Sequence, residues 1–118
     1  MSKKSKTALK FDWRKLKVKI LGNRYDLSLV LCGPTLIKSL NKRFRGKDAP
    51  TDVLAFPLSE TEGEIFLCPK MVKVKAQIFG EESEIYMRRL FIHGLLHLKG
   101  MRHGSKMESQ EEKILNNK

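Results

Sequence analysis

All three histidines of the 118-residue chain lie in one short stretch, "HGLLHLKGMRH". His93 and His97 are four residues apart, so on a helix they lie on the same face, where both imidazoles can bind one metal ion. Gly100 is a typical helix terminator, which would let the chain turn back and bring His103 to the same point. Three protein ligands with an open position are the arrangement of catalytic zinc, whereas structural zinc usually has four protein ligands.

The alternative is that these histidines are ordinary core residues. A single His on an apolar helix is more often a hydrogen-bonded core residue, and an isolated HxxxH pair is only a weak signal of metal binding. Three imidazoles buried without a shared partner would leave polar atoms unsatisfied. We therefore predict one metal ion bound by His93, His97, His103 and a water molecule. Zinc is the expected ion because imidazole ligands suit it.

The residue after the first histidine separates this pattern from that of the zinc proteases. In HExxH that position is a Glu that acts as general base, but here it is Gly94. A glycine would leave space for substrate or water beside the metal, and no general base is evident next to the histidines. Arg45, which we place in the loop "RFRGKDAPTD", is the candidate for a catalytic guanidinium that stabilises negative charge on a phosphoryl group. The alternative is an ordinary surface arginine, which a lone Arg more often is.

The charge favours a nucleic-acid partner. The chain has 24 Lys and Arg residues against 13 Asp and Glu, a net charge of +11. A solvated basic face that keeps the protein soluble is the alternative interpretation. Eight basic residues lie between Met1 and Leu21, and a second cluster contains Lys38, Lys42, Arg43, Arg45 and Lys47. The residues that we predict to bind substrate phosphates are Lys42, Arg43, Lys47 and Arg102.

Hydrophobic periodicity predicts an α+β fold of mixed helices and strands. Period-two alternation predicts neighbouring strands at Leu16–Leu21 and Tyr25–Gly33, and a further strand at "GEIFLC". The segment around Pro50 and Pro57 is expected to be a loop that leads into an extended segment.

Helical spacing and end signals predict four helices. These are a helix from Pro34 to Gly46, a second from Pro69 to about Phe79, a buried helix from Glu81 to Lys99 that carries the first two histidines, and a short surface helix through Met107, Ile114 and Leu115.

The sequence contains no apolar run of membrane-spanning length and no signal-peptide pattern, so we expect a cytoplasmic protein with no membrane partner. Cys32 and Cys68 form no CxxC pair and are expected to be reduced, although a strained or regulatory disulfide between them stays open. We expect a single domain over 1–118, with residues 1–6 as a loose basic tail.

Three blocks, "LNKRFRGKDAPTDVLAFPL", "GEIFLCP" and "HGLLHLKGMRH", closely resemble the YbeY family of bacterial metal-dependent ribosomal RNA maturation factors. The resemblance extends from about Leu16 to the C terminus. It implies one compact domain with a small mixed sheet and a zinc site at the end of a groove. It also implies that His93, His97 and His103 bind zinc, and that Arg45 is the family's functionally important arginine. The implied activity is single-strand-specific endoribonuclease cleavage in small-subunit rRNA maturation and ribosome quality control.

The sequence departs from the family pattern at three places. Phe44 replaces the usual Tyr before the arginine, Ala55 replaces the usual Ser, and Met101 and Arg102 replace the usual Tyr-Asp before the last histidine. The first two changes remove hydroxyl groups near the implied groove. The third adds a cation beside the metal site, which either aids phosphate binding or is a neutral surface change.

Two functions stay open at this point. In the first, the metal activates water for attack on an RNA phosphodiester while the basic surface binds single-stranded RNA. In the second, the zinc is structural and the chain is a non-catalytic assembly factor that binds ribosomal RNA or ribosomal proteins. The absence of an obvious fourth ligand in the sequence favours the enzyme, whereas Cys68 would favour the second function if it reached the metal.

Overall fold

The computed structural model describes residues 9–100 and 105–116. Within these ranges the chain forms five helices and a three-stranded sheet. The predicted tail at residues 1–6 lies outside the described residues, as do Arg102 and His103. The elements in chain order are α1 (Trp13–Leu21), β1 (Asp26–Leu31), α2 (Pro34–Arg45), β2 (Val53–Ser59), β3 (Glu62–Leu67), α3 (Pro69–Phe79), α4 (Ser83–Leu98) and α5 (Ser105–Asn116).

The sheet is small and mixed, as the family resemblance implied. Its strand order is β1-β3-β2, with β1 parallel and β2 antiparallel to β3. Leu29 on β1, Ile65 on β3 and Ala55 on β2 form one cross-strand row. Since side chains alternate between the faces of a sheet, this row faces one core cluster, while the neighbouring row through Phe66 faces another.

Helix α4 packs on the first of these faces and forms the centre of the main core. Phe91, Ile92 and Leu95 on α4 are fully buried, as is Ile65 beneath them. Burial of each such side chain contributes about 1.5–3 kcal/mol to stability. The prediction of a buried helix carrying His93 and His97 is therefore confirmed. On the other face of the sheet α2 packs through Ile37 against Leu54 and Cys68.

The strand predicted at Leu16–Leu21 is wrong, because this segment belongs to helix α1. Asp12 caps the helix by accepting a hydrogen bond from the backbone N–H of Lys15 at 3.1 Å. Leu16 and Ile20 lie four residues apart on its buried face, whereas Val18 is 44% exposed. The apparent period-two pattern therefore contained one exposed apolar residue, and the helical period determines which side chains are buried.

The predictions for α2 and α3 are confirmed, including their ends. Each begins at a proline, Pro34 or Pro69, and each ends before a glycine with a left-handed backbone, Gly46 at φ 71° and Gly80 at φ 68°. Proline suits the first helical turn, and glycine adopts the left-handed conformation without a steric cost. Among the described residues no helix is both long and apolar enough to cross a membrane.

Helix α5 is not the surface helix that its polar sequence predicted. Ile114 and Leu115 are about nine-tenths buried and join the main core beside α4. Arg89 on α4 donates to Glu112 on α5 at 3.0 Å, which adds a polar contact at the rim. The helix itself is confirmed, but it covers one side of α4 and contributes to the core.

Candidate active site

A cleft of about 580 Å³ opens between α2, β2 and α4, which is within the usual range for ligand sites. One wall, here called the α4 wall, consists of His93, Gly94 and His97. The opposite wall, here called the α2 wall, consists of Phe44, Arg45 and Lys47. The fold therefore brings two of the predicted metal ligands, the predicted catalytic arginine and one predicted phosphate-binding lysine to the same cleft.

The two histidines of the α4 wall lie on one face of their helix, as their spacing predicted. Their ring centroids are 4.9 Å apart and the rings are nearly perpendicular, at 79°. Both side chains are partly buried because the helix around them is packed into the main core. The predicted third ligand, His103, and the predicted phosphate contact, Arg102, lie outside the described residues.

A buried carboxylate that sequence reasoning missed orients the first histidine. Glu111 on α5 is only 8% exposed and its Oε2 pairs with Nδ1 of His93. When Glu111 is ionised and His93 neutral, Nδ1 donates to the carboxylate and Nε2 keeps the lone pair that a metal would need. A carboxylate on the second nitrogen of a histidine ligand is the usual outer shell of a metal site.

The described side chains supply some, but not all, of the ligands that a metal ion would need. Within residues 9–100 and 105–116 no group of three or more His, Cys, Asp or Glu side chains is arranged to hold one. The nearly perpendicular imidazoles of His93 and His97, with Glu111 paired to Nδ1 of the first, nevertheless offer two nitrogen donors of the kind that zinc prefers.

Cys68 does not line the cleft. It is fully buried in the apolar cluster with Ile37 and Leu54, beneath α2. Cys32 packs against the same cluster, and both cysteines are free thiols. Burial, together with the neighbouring Cys68, raises the pKa of Cys32 to about 11. The two thiols are not joined in the structure, and their reduced state stays a prediction. The structure does not place Cys68 where it would close the metal site.

Gly94 also has a packing role that the sequence did not predict. A Cβ at this residue would lie 3.0 Å from Cδ1 of Ile65, which is fully buried on β3. The glycine therefore allows α4 to approach the sheet closely. Gly94 nevertheless lines the cleft beside the two histidines, so close approach of substrate or water to its backbone stays a prediction.

The α2 wall is positioned by the end of its helix. Arg45 is the last residue of α2 and not part of the following loop as predicted, and Gly46 then reverses the chain. The buried amide of Asn41 donates through Nδ2 to the carbonyl of Ala49 at 2.9 Å, and the backbone N–H of Lys47 donates to the carbonyl of Asn41. These bonds fix the loop against the helix and leave the side chains of Arg45 and Lys47 exposed.

The other two predicted phosphate-binding residues lie on the same helix outside the cleft lining. Lys42 and Arg43 are both exposed in the last turn of α2. The guanidinium carbon of Arg43 lies 5.6 Å from the ring centroid of Phe44. Together with the α2 wall they form a basic edge beside the cleft, and their contact with a substrate stays a prediction.

Asp52 is a second buried carboxylate that sequence reasoning did not single out. It lines the cleft, and its Oδ2 accepts a hydrogen bond from the hydroxyl of Tyr86 at 3.0 Å and lies 3.9 Å from Nζ of Lys75. Burial, and next the charge of Asp52, raise the pKa of the Tyr86 phenol. Since its backbone carbonyl also accepts from the N–H of Cys68, Asp52 ties the start of β2 to helices α3 and α4.

Two of the three departures from the family pattern lie in the cleft. Phe44 and Ala55 both line it, so the hydroxyl groups that the pattern usually carries at these positions are missing from the cleft surface. Met101 and Arg102 lie outside the described residues.

The fold and the cleft define a class of small mixed-sheet proteins with paired histidines on a buried helix and a basic edge opposite them. The family model described as Endoribonuclease YbeY matches residues 1–118. The chain belongs to the YbeY family, and the resemblance seen in its three motif blocks is confirmed.

The chain is similar to proteins named Endoribonuclease YbeY from several bacteria. The protein of Thermotoga maritima is 41% identical over 88 residues, which are 73% of this chain and 59% of that protein. The protein of Nautilia profundicola is 38% identical over 119 residues, 94% of this chain and 86% of that protein. The chain spans between 53% and 59% of the length of four of these curated relatives.

A solved structure supports the same fold. The solution structure of a protein from Thermotoga maritima matches with a TM-score of 0.66 and 33% sequence identity, over 88% of this chain and 77% of that one. The mixed sheet with its surrounding helices is therefore a fold that this family shares.

Proposed function

We propose that this chain is a metal-dependent endoribonuclease that cuts single-stranded RNA, and that it acts in the maturation of small-subunit ribosomal RNA and in ribosome quality control. The observation that carries the proposal is that His93, His97 and Arg45 line one cleft. Its relatives are named endoribonucleases, and the net charge of +11 suits a polyanionic substrate.

The proposed cofactor is one zinc ion bound by His93, His97 and His103. When bound, zinc supplies a Lewis acid for a phosphoryl oxygen and lowers the pKa of a water molecule. Glu111 orients the imidazole of His93 by accepting the proton of Nδ1 in a hydrogen bond. The burial of α4 restricts the motion of both described histidines, as a metal site requires.

The proposed catalytic residue of the α2 wall is Arg45. Its guanidinium is always charged and can donate two parallel hydrogen bonds to phosphate oxygens, so it would stabilise the charge that develops during cleavage. Lys47 in the same wall would bind an adjacent phosphate. Lys42, Arg43 and Arg102 are the proposed contacts to more distant phosphates, which position the strand without reading its sequence.

We also propose that residues 1–118 form a single domain. The proposed location is the cytoplasm, where ribosomal RNA is processed in bacteria, and the proposed further partners are ribosomal proteins. The alternative of a non-catalytic assembly factor with a structural zinc is not favoured. It requires a closed metal site, and Cys68, which would close the site if it reached the metal, is fully buried in an apolar cluster.

The test is cleavage of matched single-stranded and duplex RNA by the purified protein, with bound metal quantified in each variant. The variants are His97→Ala, Arg45→Ala and, as a matched control, Arg24→Ala, an exposed arginine in the turn before β1. We expect His97→Ala to lose both metal and cleavage. Arg45→Ala should keep the metal and cut about 100- to 1,000-fold more slowly, the loss typical of removing one donor to a developing charge.

Arg24→Ala should behave as the wild type. A wild type that retains its metal but cuts RNA no faster than Arg45→Ala would overturn the nuclease proposal. Equal losses in Arg45→Ala and Arg24→Ala would mean that general charge, and not the α2 wall, determines the rate.

A further inference from the structure

Phe44 is a large aromatic side chain that remains 59% exposed at the mouth of the cleft. A single exposed apolar residue is ordinary on a protein surface. The position of this one is not ordinary, because it lies between Arg43 and Arg45 in the last turn of α2. The ring therefore faces solvent next to the proposed catalytic arginine.

The ring of Phe44 is supported by other aromatic rings. Its centroid lies 5.2 Å from that of Phe56 on β2, with the planes tilted by 59°, and Phe56 in turn meets Phe66 on β3 edge to face at 5.8 Å. This row of three rings extends from the sheet to the cleft. Because Phe56 packs against one side of the exposed ring, the orientation of Phe44 is set before any ligand arrives.

One cation lies close to the ring, and two more line the same cleft. The guanidinium carbon of Arg43 is 5.6 Å from the centroid of Phe44, while Arg45 and Lys47 line the same cleft. An aromatic ring among cations is the composition of surfaces that bind single-stranded nucleic acids, in which bases stack on rings and cations contact the phosphates. A protein partner would gain from the apolar ring, but the surrounding positive charge favours a polyanion.

We infer that Phe44 is the stacking platform for an unpaired nucleobase of the RNA strand, next to the phosphate bound by Arg45. The inference rests on the proposed function, because it assigns a subsite in the same cleft. Every base has a flat face, so the platform accepts any base. A duplex has its bases stacked on one another, so it cannot use the platform, and Phe44 thereby contributes a preference for single strands.

The test compares Phe44→Leu with a matched control, Phe79→Leu. Phe79 at the end of α3 is 63% exposed and also packs against a single aromatic ring, that of Tyr86, but it does not line the cleft. Binding is measured by fluorescence anisotropy with a single-stranded RNA of about ten nucleotides, a length within the site sizes of single-strand binding folds. The second probe has the same backbone with an abasic ribose at every position, and the third is a duplex.

We expect Phe44→Leu to bind the base-bearing strand about 10-fold more weakly, the size of effect typical of losing one stacked base. Its affinity for the abasic strand and for the duplex should equal that of the wild type. Phe79→Leu should stay within about two-fold of the wild type with every probe, because Phe79 does not line the cleft. Thermal unfolding of each variant checks that the fold is intact.

Equal losses of affinity for the base-bearing and abasic strands would overturn the inference, as would no loss with either. Loss of affinity in Phe79→Leu of the same size would also overturn it, and would point to an effect of apolar surface in general. Cleavage is scored separately on gels. If no variant cuts RNA but the base-dependent difference remains, the nuclease proposal fails and the stacking site stands.

Discussion

The two walls of the cleft are built in opposite ways. The α4 wall lies on a helix buried in the main core, and its first histidine is paired with the buried Glu111. The α2 wall consists of exposed side chains on a helix end, fixed mainly through the bond between Asn41 and Ala49. A metal tolerates little displacement of its ligands, whereas a flexible strand of variable sequence is bound by long, mobile cations. In the proposed function the rigid α4 wall would hold the metal. The more adaptable α2 wall, in which only the Phe44 ring is supported by another ring, would bind the substrate through Arg45 and Lys47.

The largest effect is expected on metal affinity, from removing the carboxylate that supports His93 in the rigid α4 wall. Glu111→Gln keeps the size of the side chain but removes the negative charge that is paired with Nδ1 of His93. We expect metal affinity to fall about 10- to 100-fold, the usual cost of losing such a partner. Competition against a chromophoric zinc chelator measures it. Glu112→Gln, one residue further along α5 and paired with Arg89, is the control, and equal affinities in the two variants would contradict the comparison.

A smaller effect is expected from the contact between α4 and the sheet. Gly94→Ala adds a Cβ at 3.0 Å from Cδ1 of Ile65, and Ile65→Val removes that Cδ1 atom. The free energy of unfolding lost through Gly94→Ala should therefore be about 1 kcal/mol greater in the wild-type background than in Ile65→Val, a coupling typical of residues in contact. Urea unfolding of the four proteins measures this difference. Additive changes would show that α4 has room to move at this point.

The smallest effect on stability is expected from the adaptable wall. Lys47→Ala removes an exposed side chain, so the free energy of unfolding should change by less than about 0.5 kcal/mol. Binding of single-stranded RNA should lose one phosphate contact, and the slope of log affinity against log salt should become shallower by about 0.7. Lys73→Ala on α3, which is exposed and away from the cleft, should leave the slope unchanged. Equal slopes in the wild type and Lys47→Ala would place the substrate elsewhere.

Much of the fold followed from local signals. Proline at the start and glycine at the end of α2 and α3 identified both helices, and the spacing of His93 and His97 identified their shared face. The strand predicted over Leu16–Leu21 was wrong because Val18, which completes the alternating pattern, is exposed. The sequence alone does not show which apolar residue of a short amphipathic segment will face solvent.

The outer shell of the site could not be predicted in the same way. Glu111 is one of several acids in the polar segment "MESQEEK", and nothing in its neighbours distinguishes it from Glu112. It contacts His93 only because Ile114 and Leu115 pack α5 against the core. Asp52 likewise acquires its place from contacts with Tyr86 and Lys75 on other helices. Contacts between elements that are distant in the sequence determine the positions of both carboxylates. Local periodicity carries no information about such contacts.

The contribution of α5 to the site has a consequence for the timing of activity during synthesis. Chains emerge from the ribosome starting at the N terminus, and their domains begin to fold in that order. The sheet and α4 are complete in sequence before Ser105, but the carboxylate that orients His93 arrives only with α5. A nascent chain therefore presents its basic edge before it can complete the histidine site. The proposed cleavage would accordingly begin only after α5 has packed against α4.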